Sequence, residues 1–144
     1  MSLESLKKLV VEIETTQEEI KRQAQLEVDH YWQVFKFNNK RKPLQDVGHH
    51  APRIRSYKNT GSINIMWEHW PYRKDNSKRI TNLIKGTQRG YKRNSFRNVK
   101  DWEWELIQST ESHLEPLRNQ LKELQSVKVR INKLIKKANI HQEG

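Results

Sequence analysis

Six histidines are the first candidates for chemistry in this 144-residue chain. His49 and His50 are neighbours and point in different directions, while His30, His69, His113 and His141 lie far apart, and no two match the spacing at which one helix face holds a metal. The His, apolar residue, His pattern with which relaxases and related nucleases grip a metal before cutting with tyrosine is absent. Functional histidines work in constellations, so these read as ordinary surface or hairpin residues. Carboxylates offer no better start: residues 36–100 contain only Asp46, Glu68 and Asp75, too few for a two-metal nuclease site. There is no phosphate-cradling G-x-x-x-x-G-K-S/T loop. With no cysteine, disulfides and thiolate zinc sites are excluded. The expectation is a protein that is not an enzyme, with no catalytic residue, no metal and no cofactor.

The stronger signal is charge. Residues 36–100 carry 17 Lys and Arg against 3 acids, whereas residues 1–35 have a net charge of −3 and residues 101–144 a net charge of 0. The whole +11 of the chain thus comes from its middle. Clustered cations repel one another unless a polyanion offsets them, and nucleic acid is the commonest such partner. From Pro52 to Phe96 this basic stretch is also studded with aromatics. Arg53 and Arg55 stand two apart and share a face if they lie on a strand. Lys78, Arg79, Lys85, Arg89, Lys92, Arg93 and Arg97 add phosphate-binding charge, each contact releasing counterions. Tyr91 and Phe96, set among these cations, are candidates for stacking on bases. Trp67, Trp70, Trp102 and Trp104 are read instead as core.

Two long amphipathic segments must position this middle. Leu3, Leu6, Val10, Ile13, Ile20, Ala24, Val28, Tyr31 and Phe35 recur at three- and four-residue steps, broken only by Gln17, which predicts a helix over residues 1–36 capped by Ser2. Leu106, Leu114, Leu117, Leu121, Leu124, Ile131 and Ala138 predict a second over residues 101–140, with Asp101 as its cap and a kink or break near Pro116. Residues 37–100 form the insertion: a loop over 38–51, a hairpin of 53–58 and 62–70, a turn at Asp75, Asn76 and Ser77, a third strand or a short helix over 78–85 with the strand preferred, and a surface loop over 86–100. The fold expected is a single α+β domain, an antiparallel helix pair carrying a small basic β-sheet. The leucines of the second helix also make a homodimer a candidate. No apolar run is long enough to span a bilayer, and the acidic start does not suit a secretory signal, so a cytoplasmic protein without membrane contact is expected.

The pattern Arg53, Tyr57, Gly61, Ser62, Ile63, Ile65, Trp67, followed by Lys85, Gly86, Tyr91, Phe96, Trp102, Glu103, Leu106, Thr110, Glu111, Leu117 and Arg118, resembles the MobI-like conjugative-transfer accessory proteins. The resemblance implies a bacterial mobile-element protein that helps process an origin of transfer, binding DNA beside a relaxase. It carries over no catalytic residues. Two readings compete with duplex-DNA binding: an inhibitor whose basic face meets an acidic protein, and an RNA or single-strand binder using its aromatics.

Overall fold

The computed structural model describes residues 2–70, 82–86 and 90–143. Helix α1 runs Leu3–Asn39 and helix α2 runs Asp101–Glu143. Between them lie strands β1 (His50–Ser56), β2 (Ile63–His69) and β3 (Asn82–Leu83), in the sheet order β1-β2-β3, with two single turns of 3₁₀ helix at Leu44–Asp46 and Arg93–Ser95. The protein is therefore α+β, two long helices with an antiparallel sheet between them.

Ser2 caps α1, its side chain accepting from the Ser5 N–H at 3.2 Å. The stripe read from the sequence is the buried one: Leu6, Ile20, Ala24, Val28, Tyr31 and Phe35 all face inward. Gln17, the break in that stripe, is buried too. Its amide donates to Gln125 at 3.1 Å and its oxygen accepts from Lys128 Nζ at 3.0 Å, so a polar rung joins the helices where an apolar one was missing. Lys128 Nζ also donates to the Gly61 carbonyl at 3.1 Å, and Gln125 to the Thr60 carbonyl at 3.0 Å, which ties the hairpin tip to α2. Gly61 has φ +67°, a left-handed conformation in which a side chain is strained, and a Cβ there would meet Lys128 Nζ at 2.8 Å.

Helix α2 is a single helix continuous through Pro116, not two abutting ones, and it departs from expectation at its start. Asp101 is its first helical residue rather than its cap: the Lys100 carbonyl accepts from the Trp104 N–H at 2.8 Å, and Glu103 reaches back to the Lys100 N–H at 3.3 Å. That back-bonding glutamate is half of a capping box, so the side chain that satisfies the end of the helix comes from inside it.

The hairpin forms as its alternation requires. Ile63, Ile65 and Trp67 are buried toward the helices. Arg53 pairs across from Met66 and Arg55 from Asn64, so the two arginines do share the outer face. Of the segment read as a third strand, Asn82 and Leu83 pair with β2, while residues 78–81 and the turn at Asp75, Asn76 and Ser77 lie outside the described residues. Aromatic rings fill the space between sheet and helices: Trp67 lies 5.2 Å from Tyr31 and 5.7 Å from Phe96, and Phe35 lies 5.9 Å from Trp70 and 5.8 Å from Trp102, centroid to centroid. Leu114 and Leu121, candidates for a surface between two copies, are buried in this same intramolecular core.

Candidate nucleic-acid interface

The cations singled out in the sequence fall into two groups. On the outer face of the sheet, Arg53 Nη1 lies 3.0 Å and Arg55 Nη2 3.6 Å from Glu68 Oε1. One carboxylate shared by two guanidiniums leaves a single net positive charge there. The arginine side chains remain 50% and 39% exposed, so each retains donors that face water.

The second group lies on the segment entering α2. Lys92, Arg93 and Arg97 are exposed, and Arg93 is paired with Asp101 in the first turn of that helix. Lys85, also exposed, follows β3. Lys78, Arg79 and Arg89 lie outside the described residues. The aromatics of this group behave differently from the stacking role expected of them. Phe96 is only 2% exposed, wedged against His50, Trp67, Tyr91 and Trp104, and has no face to offer a base. Burying a full aromatic face outweighs what an exposed ring gains by waiting for a ligand. Tyr91 is half-buried beneath the Arg118 guanidinium, 5.0 Å from the ring centroid, and burial pushes its hydroxyl pKa upward. The described part of this segment, residues 90–100, is thus an exposed loop pinned by a core residue.

Glu103, fully buried on α2, accepts from the Lys100 N–H at the end of this segment and ties it to the one entering β1. Its Oε2 accepts from the His49 N–H at 2.6 Å and from the His50 N–H at 3.1 Å. His50 Nδ1 lies 3.0 Å from the same oxygen, at an angle poorer than a linear hydrogen bond. On the far side of that ring, His50 Nε2 meets His69 Nδ1 at 3.1 Å. His50 is itself fully buried, and its carbonyl accepts from the Tyr31 hydroxyl at 2.6 Å. Burial and the nearby Glu103 charge both raise the Tyr31 pKa, keeping it a neutral donor.

The chain reaches Glu103 through Gly48, which has no room for a side chain: a Cβ would lie 2.5 Å from Glu103 Oε2 and 2.6 Å from the Phe35 ring. Leu44, Gln45, His49, His69, Arg97, Asn98, Val99 and Lys100 then line an open cleft of about 790 Å³. Asn98 at its lip has φ +55°, a left-handed conformation that asparagine tolerates better than most residues. Beside the cleft, Lys42 lies over the Trp102 ring at 5.5 Å, and the Trp102 indole donates to the Asp46 carbonyl at 2.8 Å.

Lys42, Lys100 and the histidine pair were not among the candidates chosen from the sequence. The run Lys40, Arg41, Lys42 was visible as charge but sits in a stretch dominated by turn formers. His50 and His69 are 19 residues apart and become neighbours only through the β1–β2 register, in which they are partners.

A protein-family model described as MobI protein matches residues 7–132. The chain belongs to the MobI family. The match covers most of both helices and every candidate residue described above, well beyond the stretch from Arg53 to Arg118 in which the resemblance was first legible. Neither a curated protein nor a solved structure matches. Membership in the MobI family makes this a mobilization-related accessory protein. No helix among the described residues is long and apolar enough to cross a membrane.

Proposed function

We propose that this MobI-family chain is a non-enzymatic DNA-binding accessory protein of a conjugative or other mobile element, acting in the cytoplasm at the origin of transfer alongside a relaxase. The observation that carries the reading is the placement of Arg97 and Lys100 on one cleft, with Lys92 close to Arg97 in the chain and Lys42 over the Trp102 ring, on backbone that buried Glu103 and Phe96 hold in place. Phosphate contacts position a protein on DNA, and they are most effective when the cations are already arranged. Arg53 and Arg55 on the outer sheet face supply a second, weaker contact, because Glu68 offsets part of their charge.

Duplex binding followed by fluorescence anisotropy across a salt series tests this. With about five phosphates contacted, log affinity falls against log salt with a slope near −4.5. A duplex carrying the element's own origin of transfer is expected to bind more tightly than a scrambled duplex. Salt-independent association, or none tighter than about 0.1 mM at physiological salt, overturns the reading.

A further inference from the structure

The geometry points to a proton-linked oxyanion site in the cleft beside β2, where Arg97, Lys100 and His69 take a phosphate group and Glu103 with His50 set the protonation of His69. A carboxylate only accepts, so the contact between Glu103 and His50 Nδ1 favours a proton on that nitrogen. His50 Nε2 is then the acceptor, and the Nδ1–H of His69 donates to it at 3.1 Å. Neutral His69 consequently has its proton committed to His50, and its other nitrogen, Nε2, is an acceptor that an anion would avoid. To donate to a phosphate oxygen, His69 must gain a second proton.

The groups facing His69 come from every element around it. His50 on β1, His49 before β1 and Arg97 on the segment before α2 disfavour its protonation; Glu103 on α2 favours it. Burial is the largest influence, and on balance the pKa of His69 lies below the ordinary histidine value. A phosphate between Arg97 and His69 reverses that balance, offsetting the cations and accepting from the new donor. Binding therefore takes up a proton, and affinity rises as pH falls. Each pH unit between the free and the bound pKa of His69 changes the dissociation constant by up to about tenfold. Since Arg97 is one of the cations of the proposed DNA surface, the inference deepens that reading by naming one phosphate contact. It does not depend on duplex binding to be tested.

Inorganic sulfate is the probe, because its charge is constant over the pH range in which histidine titrates. Side-chain NMR of the intact chain, followed from pH 4.5 to 8 with and without sulfate, is expected to show the His69 titration moving upward by at least about half a pH unit, with His30 and His113 unmoved. Arg97→Gln should abolish that movement while leaving the other histidine signals in place, and His69→Gln should retain weak binding that no longer varies with pH. A His69 titration unaffected by 100 mM sulfate overturns the proposal, as does pH-dependent binding that persists in His69→Gln. Single strands with 5′-phosphate and 5′-hydroxyl ends separate the two sources of the anion: tighter, pH-dependent binding of the phosphorylated end assigns a terminal monoester, and equal pH-dependent binding assigns the backbone diester. If neither strand gives pH-dependent binding, the site takes no nucleic-acid phosphate and the proposal fails. If sulfate moves His69 and a single strand binds with the expected pH dependence while duplex DNA fails to bind, the duplex-binding function is lost and the oxyanion site remains.

Discussion

Two buried carboxylates on the same helix, Glu103 and Glu111, are eight residues apart and are satisfied in different ways. Glu111 is closed by charge: Arg118 donates to it through Nη1 at 2.8 Å and Nη2 at 2.7 Å, and the Trp67 indole adds a third bond at 3.0 Å. Arg118 in turn donates from Nε to the Ile65 carbonyl at 2.8 Å, so the pair fastens β2 to α2 and cancels its own charge. Glu103 has no cationic partner of that kind among the described residues. It is held by the N–H groups of His49, His50 and Lys100, with the His50 imidazole against it. A neutralised pair can be exchanged for apolar side chains of similar volume at little cost. A carboxylate held by backbone donors has no equivalent replacement, because the donors cannot be mutated away.

Glu103→Ala breaks the comparison most severely. It leaves buried N–H groups unsatisfied and frees two loops at once, and is expected to destabilise the protein by about 5 kcal/mol in urea denaturation, near the limit of what a domain of this size withstands. Arg118→Ala strands the Glu111 charge and should cost about 3 to 5 kcal/mol. The double variant Glu111→Leu with Arg118→Met should recover part of that loss, the Trp67 indole N–H and Ile65 carbonyl remaining unpaired, whereas no second-site change of one side chain rescues Glu103→Ala; failure of the double variant to recover any stability would show that the two carboxylates are alike after all. Phe96→Ala, between the two sites, is expected to destabilise by about 3 kcal/mol. DNA affinity of its folded fraction should change less than that of Arg97→Gln, which distinguishes a core ring from a stacking one. Gly48→Ala pushes a methyl group against Glu103 and Phe35, for an expected loss of about 1 to 3 kcal/mol.

The smallest effect is the pH dependence. Since His69 has a lowered pKa in the folded chain, the unfolded chain binds more protons in the interval between that value and about 6.5, so folding stability is full above that interval and declines as pH falls through it. The denaturation midpoint should drop between pH 7 and pH 5 in the wild type. In His69→Gln the drop should be smaller, and an unchanged drop would place the pH-sensitive group elsewhere than at the Glu103 end.

Both helices, the hairpin, its inward and outward faces and the location of the basic surplus were legible in the residue pattern, because each follows from periodicity over neighbouring residues. Gln17 shows where that legibility stops: in the stripe it is an interruption, and only Gln125 and Lys128 on the other helix make it a rung. Phe96 is similar. Its charged neighbours suggested a ligand-facing ring, but rings from β2, α2 and its own loop converge on it. The histidines were read one at a time and looked inert, since the contact between His50 and His69 depends on strand register and the contact to Glu103 spans 53 residues.

By itself the sequence determined the α+β architecture, the placement of the charge surplus and the resemblance to the MobI family, through the two periods of apolar residues and the composition of residues 36–100. Tertiary structure alone decided which cations are already paired, which aromatics are spent on the core, and that a buried glutamate, two histidines and an exposed arginine meet at one cleft. The physical reason is that pairing and burial are properties of neighbours in space. A side chain's charge can be read from its name, but whether that charge is offset, desolvated or left free depends on residues the chain brings to it from far away.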